Sequence, residues 1–150
     1  MYRKLCMLLA VAALSACRPT VKAPVHDTFT KVGQADAILA LGYGATSKVV
    51  KTRGDYGWFK FDGRAGDEVA IDVKSANGDA VVFVLDGNDD VVAVNDDADA
   101  LTSDSHLTMT VPVDGVYYIA FREYSFAPAR FTVALSGTPA PVGAADVNAR

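Results

Sequence analysis

One interval of the chain is strongly acidic. No Lys or Arg lies between Lys74 and Arg122, whereas the same interval holds nine aspartates. Calcium prefers about six to eight oxygen ligands from carboxylates and loop carbonyls, and repulsion among neighbouring carboxylates favours a bound cation. The alternative is that these aspartates form Asx-turns and solvated loop tips. We expect calcium as a cofactor, with ligands from two Asp-rich turns and the start of a strand: Asp79, Asp86, Asp90, Asn95, Asp96 and Asp97.

The candidates for acid–base catalysis are few. The two histidines are His26 and His106, and His106 follows Asp104 and Ser105 directly. Sequence neighbours on a strand point to opposite faces, so these three consecutive residues cannot form a nucleophilic relay. Only two glutamates occur, and no motif singles out a carboxylate pair for glycoside hydrolysis. The sequence therefore predicts no catalytic residues and a protein that is not an enzyme.

A short aromatic segment is a candidate binding surface. Residues 56–61 read YGWFKF, so on a strand the two phenylalanines share one face and Tyr56 and Trp58 share the other. If the phenylalanines face the core, Tyr56 and Trp58 form a flat platform on which a sugar ring or an extended peptide stacks. Tyr118 and Tyr124 are further candidates. The alternative is that Trp58 packs under a loop or against the segment before the domain.

The first residues have the pattern of an export signal. A basic pair, Arg3-Lys4, precedes an apolar run of ten residues, Leu5–Leu14, which as a helix spans only about half of a ~30 Å hydrocarbon core. The sequence Leu14-Ser15-Ala16-Cys17 resembles the lipobox of bacterial lipoproteins, in which the cysteine thiol takes a diacylglyceryl group before cleavage. We therefore expect a signal peptide over 1–16 and lipid attachment, with acyl chains such as palmitate, at Cys17. An ordinary signal peptide with an incidental cysteine is the alternative.

The net charge and the cysteine content limit the classes of partner and the cellular location that we expect. Removing Arg3 and Lys4 with the signal leaves 12 basic against 18 acidic residues, a net charge of −6, which excludes a basic nucleic-acid surface. Cys6 lies in the signal, so Cys17 has no partner for an intramolecular disulfide. In bacterial lipoproteins an aspartate after the cysteine commonly retains the protein in the inner membrane. Arg18 at that position indicates the outer membrane, on its periplasmic or surface face, in a host with two membranes.

The remaining chain has the pattern of an all-β domain. Residues 17–30 contain two prolines and no periodicity, which predicts a flexible tether, and residues 138–150 form a Gly/Ala/Pro-rich tail. Between them, over 31–137, apolar residues alternate with polar ones in segments such as Val69–Val73 and Phe131–Leu135. Val81–Leu85 is apolar throughout, as in a strand covered on both sides. We predict a β-sandwich or jelly roll of about eight antiparallel strands.

Five motifs in a fixed order resemble the bacterial pre-peptidase C-terminal (PPC) domain over about residues 45–136. They are an aromatic WFKF strand, an AGD turn, an Asp-led strand that ends in a DG turn, an NDD loop and a PVDGVYY strand. The resemblance implies a jelly-roll sandwich that is not an enzyme and that usually accompanies secreted proteases. Some relatives bind collagen or polysaccharide, and some bind calcium.

Two functions follow as expectations. The first is a membrane-anchored binding or accessory module of the cell envelope, stabilised by calcium, that recognises a polysaccharide or an extended peptide. The second is a structural or envelope-assembly lipoprotein that contacts another protein and has no small-molecule site. An exposed Trp58 favours the first, and a buried Trp58 with an uncovered apolar patch favours the second.

Overall fold

The structure is a computed structural model that describes residues 25–30, 32, 38–99 and 101–141. The predicted signal peptide, Cys17 and most of the predicted tail lie outside these residues. The described residues include no helix that is long and apolar enough to cross a lipid bilayer.

The described residues form ten strands. Seven of them have five or more residues, and three short ones precede them. In chain order they are β1 (Leu39–Ala40), β2 (Ala45–Thr46), β3 (Val50–Lys51), β4 (Gly57–Gly63), β5 (Glu68–Ser75), β6 (Ala80–Leu85), β7 (Val91–Asn95), β8 (Ser105–Thr110), β9 (Gly115–Glu123) and β10 (Arg130–Thr138).

The strands make two sheets. Sheet A has the order β1-β4-β9-β6-β7, and sheet B has the order β2-β10-β5-β8, with β3 also pairing β10. The predicted all-β sandwich is confirmed. The prediction of about eight antiparallel strands differs in detail, because β1 pairs β4 in parallel and β1, β2 and β3 are two-residue pairings. A two-residue strand is too short to leave an alternating pattern in the sequence.

Sheet B follows the predicted alternation. In β5 the side chains of Val69, Ile71 and Val73 are buried between the sheets, whereas the residues between them face outwards. In β10 the same holds for Phe131, Val133 and Leu135. These side chains meet the inner residues of sheet A in one hydrophobic core. Sheet B thus has one apolar face and one polar face, the usual arrangement for an antiparallel sheet with one side in water.

Sheet A is covered on both sides. Every residue of β6 is buried: Val82 and Val84 belong to the core between the sheets, while Val81, Phe83 and Leu85 belong to a second cluster on the outer side of sheet A. The prediction that this strand is covered on both faces is confirmed.

The turn at Asn77-Gly78 carries the chain from one sheet to the other, because β5 lies in sheet B and β6 lies in sheet A. An Asn-Gly pair is typical of a two-residue hairpin, so the sequence alone predicts a hairpin here and that prediction is wrong. The Asn77 side chain holds this crossing in place, because its Oδ1 accepts the Arg130 N–H at 3.0 Å and its Nδ2 donates to the Pro128 carbonyl at 3.3 Å.

Candidate binding surfaces

The outer face of sheet A is rich in aromatic residues because three neighbouring strands contribute to it. Trp58 lies on β4, Phe83 on β6 and Tyr118 on β9, and Tyr56 directly precedes β4. Alternation sends these side chains outwards, while Phe59, Phe61 and their neighbours fill the core between the sheets. The segment formed by residues 25–30 and Val32, here called the cover segment, packs on this face.

Phe29 is the apolar centre of the cover segment. Its ring lies 5.1 Å from the ring of Tyr56, 5.6 Å from Trp58 and 5.3 Å from Phe83, in each case edge-on. Edge-to-face pairs at such distances each add about 0.5–1.5 kcal/mol beyond the burial of apolar area. One side chain from the predicted tether therefore contacts three aromatic rings of the sheet.

Asp27, Arg122 and Tyr56 form a polar cluster next to Phe29, here called the clamp. The Asp27 carboxylate accepts two hydrogen bonds from Arg122, at 2.7 Å from Nε and 3.1 Å from Nη2, and one from the Tyr56 hydroxyl at 2.6 Å. The Arg122 side chain is only 4% exposed and that of Asp27 is 15% exposed. The remaining Arg122 donor, Nη1, bonds the carbonyls of Glu123 and Tyr124 at 3.0 and 2.8 Å. Each of the three guanidinium nitrogens thus donates at least one hydrogen bond, which offsets the cost of burying the charge.

The clamp shifts the pKa values of its members. Burial opposes ionisation of Asp27, but the hydrogen bonds from Arg122 and Tyr56 outweigh it and hold the pKa of the carboxyl below 3.8. Burial, together with the hydrogen bond to Asp27 and its negative charge, raises the pKa of Tyr56 to about 12. Burial alone would lower the pKa of Arg122, but the hydrogen bond to Asp27 and the negative charge of Asp27 outweigh burial and raise it. At neutral pH the clamp is an ion pair with a neutral phenol.

Val32 fixes the far end of the cover segment. Its N–H donates to Asp89 Oδ1 at 3.0 Å, and its side chain is 5% exposed within the outer cluster. Asp89 adopts a positive φ of 68° in the β6–β7 turn. One aspartate of the acidic interval therefore holds the N-terminal segment onto the sheet.

The predicted aromatic platform is occupied by the protein itself. Tyr56 and Trp58 lie together on the outer face, with ring centroids 5.8 Å apart, but both are half-buried beneath Phe29. Tyr118 and Tyr124 border the same cluster. Residues 25–30, which the sequence assigns to a tether, are a part of this surface.

The structure does not bring the six predicted calcium ligands together. Asp86 and Asp90 lie in the turn between β6 and β7, whereas Asp79, Asn95 and the two aspartates after it lie at the opposite end of this hairpin. A six-residue strand separates the two groups by roughly 20 Å.

The two groups also have local roles. In the turn, Asp86 Oδ1 accepts the N–H groups of Asn88 and Asp90 at 2.8 and 3.1 Å, and these bonds lower the pKa of Asp86. At the other end, Asn95 Oδ1 accepts the His106 N–H at 3.1 Å.

Among the described residues no group of three or more His, Cys, Asp or Glu side chains is arranged to hold a metal ion. Calcium stays a prediction, which melting the protein with millimolar Ca²⁺ and with EDTA would test.

The side chains considered for catalysis point in different directions, as the alternation along a strand requires. Ser105 is buried and donates to the Ala80 carbonyl at 2.5 Å, whereas His106 faces outwards and its Nδ1 pairs with Asp72 of β5 at 2.7 Å. Asp104 accepts the Ser75 N–H at 2.9 Å. His26 lies in the cover segment and lines a groove beside β7. None of these contacts places a hydroxyl next to an imidazole.

A second surface feature is the outer edge of β7. This strand ends sheet A, and no described strand pairs with its free edge. Between β7 and the cover segment runs a groove of about 310 Å³, lined by Val25, His26, Asp27, Thr28, Phe83, Val91 and Val94. No sequence pattern predicts this groove, because its two walls are more than fifty residues apart in the chain.

The comparisons with known proteins agree with the fold. Residues 55–122 match the family model described as the bacterial pre-peptidase C-terminal domain, so the resemblance suggested by the motifs is confirmed over these residues. The solved structure of the pre-peptidase C-terminal domain of a collagenase from Bacillus anthracis aligns with a TM-score of 0.56 and 12% identity, over 67% of this chain and 95% of that domain. At this identity the likeness shows the fold alone.

Two further solved structures align less closely. They are PliG, a periplasmic inhibitor of g-type lysozyme, from Aeromonas hydrophila and from Salmonella Typhimurium, with TM-scores of 0.48 and 0.46 and identities of 15% and 14%. Each alignment covers 67% of this chain, with 97% and 99% of the respective inhibitor. No curated protein shows a significant match to the sequence.

Proposed function

We propose that this protein is a non-catalytic binding module of the cell envelope, held at the outer membrane by a lipid on Cys17, and that its partner is an extended polypeptide. The match of residues 55–122 to a domain family of accessory modules supports the non-catalytic role. The observation that carries the choice of partner is the cover segment. The outer face of sheet A already holds a peptide segment without helix or strand, residues 25–30 of the same chain.

The cover segment also sets how the domain is held. Val25 packs on the outer face of sheet A, and seven residues separate it from Cys17 in the sequence. Even fully extended, this stretch spans at most roughly 30 Å. A lipid on Cys17 would thus keep the sandwich close to the membrane surface, with the outer face of sheet A joined directly to the anchor.

Membrane attachment is tested by fractionation. The full chain should sediment with the outer membrane and carry the mass of a diacylglyceryl group and an acyl chain on its first mature residue. The Cys17→Ser variant should lack that mass and leave the outer-membrane fraction. A soluble wild-type protein without the added mass would contradict the anchor.

The nature of the partner is tested in the envelope. A photo-crosslinking amino acid placed at several exposed positions of the anchored protein should give products that contain tryptic peptides of a second protein and that keep their size after treatment with glycan hydrolases. Products that shrink on treatment with glycan hydrolases and contain no second protein would overturn the choice of a polypeptide.

A second candidate is a polysaccharide or collagen ligand on Tyr56 and Trp58. The observation in its favour is that Phe29 occupies these rings as a stacking ligand would, and the segment that carries it precedes the sandwich. In this case Phe29→Ala should strengthen retention on a glycan or collagen array, and Trp58→Ala should abolish it. Equal retention of both variants and the parent would remove this candidate.

A further inference from the structure

The edge of β7 that faces away from β6 has no neighbouring strand among the described residues. In an antiparallel sheet, successive residues of the last strand alternate between bonding the inner neighbour and pointing away from the sheet. β7 pairs with β6 on one side, and no other described strand forms a ladder with it. Its last residue, Asn95, contacts the start of β8, because its carbonyl accepts the Ser105 hydroxyl at 3.3 Å and its Oδ1 accepts the His106 N–H. The stretch without a partner strand is therefore Val91–Val94. Such an edge is a ready template for one more strand.

The side chains of β7 leave this edge apolar. Val91, Val92 and Val94 are 39%, 39% and 46% exposed, and the strand contains neither Lys nor Pro, the usual means of blocking an edge. The edge strand of sheet B, β8, is different, because its outward side chains are His106, Thr108 and Thr110. β7 is therefore the longest apolar edge in the part of the chain that the structure describes.

The two ends of β7 are both acidic. The turn before it contains Asp86, Asp89 and Asp90, and the loop after it contains Asp96, Asp97 and Asp99. The interval of the chain between Lys74 and Arg122 contains no Lys or Arg. A strand of five residues is about 17 Å long, so the carboxylates form two negative regions at that separation with valines between them.

We propose that the free edge of β7 binds an extended polypeptide segment that adds one strand to sheet A, with small apolar side chains in its middle and Lys or Arg at both ends. The added backbone would complete the hydrogen bonds of β7, and its cations would face the two acidic turns. Its outward side chains would pass beside the groove formed by Val91, Val94 and the cover segment. This inference rests on the proposed function in taking a polypeptide as the partner.

A second copy of the chain fits this edge poorly. Two β7 edges brought together would place their acidic turns against each other, and like charges across an interface oppose association. The strands at the opposite side of the molecule, β1, β2 and β3, have only two residues each and cannot match a five-residue strand. The charge pattern thus selects a cationic partner.

The test uses the mature chain with Cys17→Ser and a labelled synthetic peptide, alternating valine and threonine between two pairs of lysines. Fluorescence anisotropy at low salt should show binding. The same peptide with alternate backbone nitrogens methylated should bind at least about ten-fold more weakly, because each methylated nitrogen can no longer donate a strand hydrogen bond. A peptide with glutamates in place of the lysines should not bind.

Variants of the protein then locate the charge. Asp90→Asn and Asp96→Asn, one at each end of β7, should each weaken binding about two- to five-fold. Asp62→Asn, on β4 near the opposite side of the sheet, removes the same charge and should leave the affinity unchanged. Equal weakening in all three variants would indicate attraction by net charge alone and would overturn the site.

Disulfide trapping locates the strand. With Cys17→Ser the mature chain contains no cysteine, so Val94→Cys should cross-link to a cysteine-bearing peptide and Thr132→Cys on sheet B should not. Sedimentation of the protein alone should show a monomer, and a dimer dissociated by the peptide would assign the edge to a second copy and overturn the proposal.

The remaining outcomes separate this proposal from the proposed function. Equal affinity for the methylated peptide overturns strand addition but leaves a polypeptide contact intact. Absence of binding to any peptide overturns the β7 site, and the composition of the envelope cross-links, a second protein or a glycan, then decides the proposed function by itself.

Discussion

The two outer faces of the sandwich are built for different surroundings. The outer face of sheet B is formed by small and polar side chains, such as Thr132, Ser136 and the exposed pair of Asp72 with His106. The outer face of sheet A is formed by aromatic and aliphatic side chains and is covered by residues from the N-terminal side of the domain. The outer face of sheet B can be exposed to water as it is, whereas the outer face of sheet A needs the cover segment to bury its apolar side chains.

The ion pairs on the two faces show the same contrast. Asp72 and His106 are 43% and 45% exposed, while Asp27 and Arg122 are 15% and 4% exposed. An exposed pair is screened by water and contributes little. A buried pair costs desolvation, and its loss leaves one charge without a partner. The clamp on sheet A is therefore where substitutions should have large effects.

The largest effect is expected for Arg122→Ala. The change leaves the Asp27 carboxylate and the Tyr56 hydroxyl without their cation and should lower the free energy of unfolding by about 3 kcal/mol, measured by urea denaturation. Arg122→Lys keeps the positive charge but cannot make the bidentate contact, so its free energy of unfolding should lie between those of the parent and of Arg122→Ala. A loss below about 1 kcal/mol for Arg122→Ala would show that the clamp does not hold the segment.

Phe29→Ala should have the next largest effect. The ring is half-buried against three aromatic residues, so its removal should cost roughly 2 kcal/mol, less than for a fully buried phenylalanine. Thr132→Ala, the matched change on the outer face of sheet B, should stay within about 0.5 kcal/mol. Equal effects of the two variants would remove the distinction between the faces.

A smaller effect is expected in the acid dependence of stability. The pKa of Asp27 is held below 3.8 in the folded protein, so its contribution is present above pH 3.8 and is lost as the pH falls through the folded value. Asp27→Asn should therefore melt at a lower temperature than the parent at neutral pH, and this difference should shrink below pH 3.8. Asp67 and Asp86 also have lowered pKa values, and both remain in the two proteins compared. A constant difference across the range would contradict the clamp.

The smallest effect is expected for His106→Gln. The histidine pairs with Asp72 at the surface of sheet B, and an exposed pair contributes about 0.2–1 kcal/mol or less. Unfolding in urea at two salt concentrations should show a change near the lower limit. A loss comparable to that of Arg122→Ala would mean that burial does not separate the two pairs.

The sequence predicts sheet B better than sheet A. Alternation in β5 and β10 is enough to identify strands with one buried face, and the uniform apolar run of β6 predicts a strand covered twice. Packing of Trp58 against the segment before the domain was one of the alternatives that the sequence left open, and the structure shows it, but the residues that make the contact could not be predicted. Asp27, Phe29 and Val32 show no period, and Asp27 meets Arg122 across 95 positions of sequence, so no local pattern marks the contact.

The acidic residues illustrate a second limit. In the sequence, the turn after β6 and the loop after β7 appear as one cluster because only a five-residue strand separates them. An extended strand carries its two ends apart, so residues that are close in the chain lie at opposite ends of a hairpin. The aspartates place negative charge at both ends of β7, but together with Asn95 they do not form a single calcium site of six residues.

The central claim, that the protein covers its own aromatic face, is tested most directly by the fluorescence of Trp58, the only tryptophan in the chain. In the mature protein with Cys17→Ser, Trp58 emission should be blue-shifted and weakly quenched by acrylamide. In Phe29→Ala the emission should shift to the red and quenching should increase, while Thr132→Ala should match the parent. A Trp58 that is already freely quenched in the parent, or that does not respond to Phe29→Ala, would contradict the account.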